Sequence, residues 1–85
     1  LQRDLKQAFA WCRKAADAGF PAAEATLGVL FARIKQPSEA VHWWTRAARQ
    51  GDAEAQYNLG LAHAQGQGTT VDAEEAFHWL GKAAA

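Results

Sequence analysis

The sequence predicts an all-α fold, a solenoid of stacked antiparallel helix pairs, because two blocks of residues recur in alternation and the apolar spacing within them is helical. The first block is Ala40-Val41-His42-Trp43, which returns as Ala8-Phe9-Ala10-Trp11 and as Ala76-Phe77-His78-Trp79. Each copy leads to a basic residue and paired alanines: Lys14-Ala15-Ala16, Arg46-Ala47-Ala48 and Lys82-Ala83-Ala84. The second block is Gly19, Ala23, Leu27 and Gly28, repeated 32 positions later as Gly51, Ala55, Leu59 and Gly60. A period in the thirties belongs to helical hairpins that stack because none can bury its apolar face alone. Within the first block, Ala40, Trp43, Trp44, Ala47 and Ala48 follow i, i+3, i+4, i+7, i+8, which is one stripe of an amphipathic helix.

Five helices follow, in the order B, A, B, A, B, where B carries the tryptophan block and A the glycine-leucine block. The first B helix spans roughly 4–18, and the Asp4/Gln7 spacing predicts a capping box at its start. Gly19 suits a left-handed residue just past its end, and Pro21 opens the first A helix over about 21–34, with Ala23, Leu27, Leu30 and Ile34 inward. Pro37 fits the first turn of the middle B helix, where its missing N–H costs nothing. Gly51 ends that helix, and Asp52 caps the second A helix over about 53–65, with Ala55, Leu59 and Ala62 inward. The last B helix starts with Asp72 and Glu75 in capping-box spacing. The two A-to-B turns differ: Gly28 to Ala40 is 12 positions and Gly60 to Ala76 is 16, so the first turn lacks four residues. The longer one holds Gly66-Gln67-Gly68, whose glycines fit backbone angles closed to other residues.

This pattern makes 1–85 a single repeat domain: 1–18 the B helix of a partial repeat, 19–50 a shortened repeat, and 51–85 a second repeat truncated at its end. A chain of 85 residues, 49% hydrophobic and 21% charged with formal net charge zero, gives no electrostatic reason to bind nucleic acid or anionic membranes. No apolar run reaches membrane-spanning length, so membrane insertion is not expected. The absence of methionine and the break within a third repeat predict a piece of a longer protein, and the sequence assigns it no compartment. Cys12 is the sole cysteine, which excludes an internal disulfide. With both ends cut inside repeat units, self-association through uncapped ends is expected.

At this point the residues carry a family resemblance. Ala55-Gln56-Tyr57-Asn58-Leu59-Gly60, then Gly66-Gln67-Gly68, Asp72, Glu75-Ala76, Trp79 and Lys82-Ala83-Ala84 resemble one nearly complete SEL-1-like repeat, a relative of the tetratricopeptide repeat. Phe20-Pro21 in place of Asp52-Ala53, the four residues missing near Lys35, and Gly81 in place of Arg13 or Thr45 depart from it locally. The resemblance implies a right-handed α/α superhelix used mainly as a non-enzymatic scaffold that holds other proteins or peptides. An alternative is an enzyme or ligand-binding module, since some cysteine-rich relatives are linked to β-lactam binding or hydrolysis. Those relatives carry paired cysteines in each repeat, and this chain has only Cys12. A structural spacer within a longer array is the remaining reading.

Most individual residues go to structure. Trp11, Trp43 and Trp79 share one repeat position on the apolar stripe and are expected in the core, opposite small residues that let helices approach. Cys12 falls where Trp44 and Leu80 stand and reads as a buried, inert thiol. His42 and His78, equivalent on successive B helices, fall about 100° off the stripe on the outer face, and His63 replaces Phe31 as a half-buried packing residue. No further zinc ligands accompany the histidines, Ser38 is the only serine, and Gly66-Gln67-Gly68 lacks the lysine and preceding strand of a phosphate loop. No catalytic, metal or cofactor residues are assigned.

The exposed arc of the A helices remains. Opposite Leu27 and Leu59 lie Ala22, Ala25, Thr26, Val29 and Arg33 in one repeat, and Glu54, Tyr57, Asn58, Leu61 and Gln65 in the next. In the architecture implied above, these arcs line the concave surface. Apolar Val29, Tyr57 and Leu61 beside Asn58, which can both donate to and accept from a peptide backbone, predict a partner-binding groove of Thr26, Val29, Arg33, Glu54, Tyr57, Asn58, Leu61 and Gln65. Asn58 falls where the tetratricopeptide family places a peptide-clamping asparagine, but Glu54 stands where that clamp needs a lysine. The competing reading is that Tyr57 and Val29 pack between neighbouring A helices. The outer arc, with His42, Arg46, Arg49, Glu74, His78 and Lys82, is plainly solvated.

Overall fold

A computed structural model of the chain describes residues 2–85, with side chains from residue 4 onward, so residue 1 of the expected first repeat lies outside the described residues. It consists of α1 (Gln2–Asp17), α2 (Pro21–Arg33), α3 (Pro37–Arg49), α4 (Ala53–Gln65) and α5 (Ala73–Ala84), with no strand among the described residues. Each helix packs on its neighbours in sequence, α2 touches α4 only lightly, and the stack measures 38 × 23 × 16 Å. Local packing of this kind is what a quasi-one-dimensional repeat array requires.

The turns follow from their residues. Gly19 and Gly51 take φ of 93° and 95°. After each of these glycines the chain closes back on the helix: Phe20 N–H donates to Ala15 O at 3.3 Å, and Asp52 N–H to Ala47 O at 3.1 Å. That bond pattern is the Schellman motif, which satisfies the last helix carbonyls. The shortened A-to-B turn uses the same motif without a glycine. Gln36 N–H donates to Phe31 O at 2.9 Å, and Lys35 adopts φ 61°, a conformation that costs a residue with a Cβ roughly 1–2 kcal/mol. Asp52 and Asp72 cap α4 and α5 by accepting from Ala55 N–H (2.8 Å) and Glu75 N–H (3.1 Å), each cap contributing about 1 kcal/mol.

Four expectations need correction. Helix α1 begins at Gln2, so Asp4 sits within its first turn and forms no capping box. Ile34 is the C-cap of α2 and 37% exposed, because the tight turn at Lys35 ends the helix before that position can point inward. Ala25 is buried at 1%, where α4 stacks on α2 and α3. Trp11 is 76% exposed, whereas Trp43 and Trp79 are 5% and 8% exposed. Trp43 packs on Ala16 and Leu27, and Trp79 on Ala47, Ala48 and Leu59, each using the hairpin before it. No described residues supply that hairpin to Trp11.

Two buried polar residues tie helices together, one within the α2–α3 hairpin and one between it and α4. Glu24, fully buried, lies 3.1 Å from the Arg46 guanidinium and accepts from Gln50 Nε2. Its Oε2 has the ion pair but no directed hydrogen bond. Its counterpart Gln56 donates instead to Ala48 O at 3.2 Å. Outside the core, Arg46 and Arg13 flank the Trp43 ring at 5.0 and 5.5 Å.

Candidate partner-binding site

The eight predicted groove residues divide into three groups. Asn58, Leu61 and Gln65 of α4 meet at a cleft of about 340 Å³ between α4 and the end of the α2–α3 hairpin. Glu54 and Tyr57 line a separate, open hollow of about 500 Å³ against Leu80, Ala83 and Ala84 of α5. Thr26, Val29 and Arg33 of α2 line neither. Thr26 is exposed with its hydroxyl donating to Ala22 O at 3.0 Å, Arg33 is exposed, and Val29 is half-buried.

The cleft exists because small and large residues alternate around it. Ala32, Ala40 and Ala62 leave room, and Trp44 forms the floor. Trp44 is held there twice over: its ring lies against Gly28, where any Cβ would collide with it, and its indole N–H donates to Ala25 O at 3.2 Å. With that donor used, the floor presents only apolar surface. The outer end is closed by the longer turn. Gly68, at φ 79°, packs on the Pro37 carbonyl where no side chain would fit, next to Gln67, which lines the cleft with Lys35. Sequence reasoning found the α4 wall but missed the α3 floor and the two turns, since Trp44 reads as core.

The hollow around Tyr57 has a different origin. Adding 32 to Ala25 gives Tyr57, and adding 36 to Val41, Trp44, Ala47 and Ala48 gives Phe77, Leu80, Ala83 and Ala84. The first set is covered by α4. The second set meets no further helix among the described residues, which leaves Tyr57 52% and Phe77 83% exposed.

No group of three or more His, Cys, Asp or Glu side chains converges among the described residues. His42 and His78 are exposed on the outer face, edge-on to Trp43 and Trp79, and His63 is half-buried. Cys12 is half-buried against the cluster of Ala16, Leu27 and Trp43, and burial pushes its thiol above the ordinary value. No described helix is long and apolar enough to cross a membrane.

Comparison with known proteins agrees with this architecture. The crystal structure of c5321, a protective antigen of uropathogenic Escherichia coli strains displaying an SLR fold, superposes with a TM-score of 0.89 at 39% identity, over 93% of this chain and 18% of that one. A Sel1 repeat protein from Oxalobacter formigenes superposes at 0.85, also with 39% identity, over 89% of this chain and 61% of that one. The DAP3-binding cell death enhancer 1 proteins of Rattus norvegicus and Mus musculus are each 34% identical over 84 residues. The chain spans only 16% of their length. The Sel1 repeat profile matches residues 1–20, 22–52 and 53–85. With three consecutive matches accounting for nearly every residue, the chain belongs to the Sel1 repeat family.

Proposed function

We propose that the chain is a non-enzymatic interaction module that binds a protein or peptide along the concave A-helix face, with Leu61 and Asn58 at its centre. Sel1 repeats generally serve protein interaction, and the rodent relatives are named for binding a protein, DAP3. The observation that carries the reading is the cleft beside α4, where apolar Leu61 adjoins the amides of Asn58 and Gln65. Binding energy concentrates where an apolar anchor can be enclosed by polar groups. The test is Leu61→Glu, assayed by partner pull-down with circular dichroism as the control. Because Leu61 is half-buried, a small loss of stability accompanies the change. Binding should fall steeply while helicity holds. His42→Ala with His78→Ala should leave binding intact, and the opposite pattern would move the site to the outer face.

The uncovered ends favour a second association. Trp11, Phe77 and Tyr57 leave large apolar surfaces at the two extremes of the stack, and such patches mark interaction sites. A second copy would bring a B helix to a place shaped for an A helix, so this contact is weak and concentration-dependent. Sedimentation should show reversible self-association at high concentration. Strict monomers throughout would remove this reading and leave the first untouched.

A further inference from the structure

We infer that the cleft floored by Trp44 is an anchor socket for a linear peptide segment that inserts one aliphatic side chain and places a carboxylate side chain against Lys35. This rests on the concave-face reading above and specifies its ligand. Three observations support it. The volume of about 340 Å³ suits one large aliphatic side chain with part of its backbone, and the Trp44 floor offers it no hydrogen bond to lose. The rim supplies neutral amides, Asn58, Gln65 and Gln67, which can pair with both the N–H and C=O groups of an extended chain. Among the described residues, Lys35 is the only charged one lining the cleft, and no carboxylate lines it. The local charge therefore favours an acidic neighbour for the anchor.

The socket is preformed, which lowers the ordering cost of binding. The Schellman turn fixes the Lys35 backbone through two hydrogen bonds, at 3.1 Å to Ala32 O and, from Gln36, at 2.9 Å to Phe31 O. On the other side, Gly68 packed on Pro37 fixes the turn that carries Gln67. The difference in turn length between the repeats thus shapes the cleft's two ends.

The experiment pans a displayed library of random linear peptides against the chain and measures the enriched peptide by calorimetry. The expected consensus pairs Leu, Ile or Val with a nearby Asp or Glu. Replacing the peptide's aliphatic residue by alanine should weaken binding roughly ten- to a hundredfold, the size of one lost side-chain burial. Lys35→Glu should weaken it several-fold and more so at low salt, whereas Lys35→Gly, which relieves the φ 61° backbone, separates charge from strain. Ala32→Phe, made at an exposed position on the rim, should plug the socket, and Gln65→Phe from α4 does the same if that variant misfolds. A consensus without an acid, an amphipathic helical consensus, or no consensus overturns the inference. If Leu61→Glu abolishes binding of a natural partner while both plugging variants bind normally, the socket is wrong and the concave face stands. If neither kind of change matters, both readings fall.

Discussion

The hairpin α2–α3 and the hairpin α4–α5 carry equivalent residues, yet among the described residues one is covered on both sides and the other on one. Ala47 and Ala48 are buried, at 0% and 2%, while their counterparts Ala83 and Ala84 are half-buried and exposed. Trp43 is core and Trp11 is surface, although both stand in the same motif. In a stacked array, burial belongs to a residue's place in the stack, because each hairpin offers its apolar face to the next. Substitution at Ala25 fits the same rule. The first hairpin has an alanine where α4 approaches, and the equivalent position of the next is Tyr57, 52% exposed.

The largest expected effect separates the equivalent tryptophans. Trp43→Ala or Trp79→Ala should lose roughly 3–5 kcal/mol in urea unfolding, enough to leave so small a domain largely unfolded. Trp11→Ala should stay within about 0.5 kcal/mol, as exposed positions do. Similar losses at all three would break the comparison.

A smaller effect separates Glu24 from Gln56. Arg46→Ala strips the fully buried Glu24 carboxylate of its cation and should cost about 2 kcal/mol, less than for a wholly buried pair because the Arg46 side chain is half-exposed. In a Glu24→Gln background, which installs the second repeat's amide, the same change should cost little. A double-mutant cycle with no coupling would show the pair to be incidental.

The smallest effect concerns Cys12, which replaces the Trp44 and Leu80 of the other copies. Burial raises its folded-state thiol above 9.0. The stability it contributes is therefore intact below that value and is lost as pH rises through the shifted one, since the unfolded chain ionises first. Urea midpoints should fall more steeply with alkaline pH in the parent than in Cys12→Ala. Equal slopes would refute the assignment.

Much of this architecture was legible in the residues. Gly19, Gly51, Asp52 and Asp72 announced their turns and caps because those roles depend on one residue and its nearest neighbours. Lys35 did not announce its positive φ, since a four-residue deletion changes the backbone without leaving a glycine behind. The cleft was legible only along α4. Stepping 100° per residue places Asn58, Leu61 and Gln65 on one face, but it cannot tell an arc lining a cleft from an arc awaiting the next helix, which is the difference between Leu61 and Tyr57. That distinction arises from neighbours distant in sequence.

The most direct test of the stacking account gives α5 a further neighbour. Residue 85 is in register with Arg49, 36 positions earlier, so a second copy of 50–65 fused after Ala85 continues the repeat and sets an A-type helix over Phe77, Leu80 and Ala83. The account predicts a higher thermal midpoint for the fused protein and a Tyr57 that becomes protected from aqueous quencher, as Ala25 already is from solvent. An appended helix that stays unfolded, with an unchanged midpoint and Tyr57 as accessible as before, would contradict it.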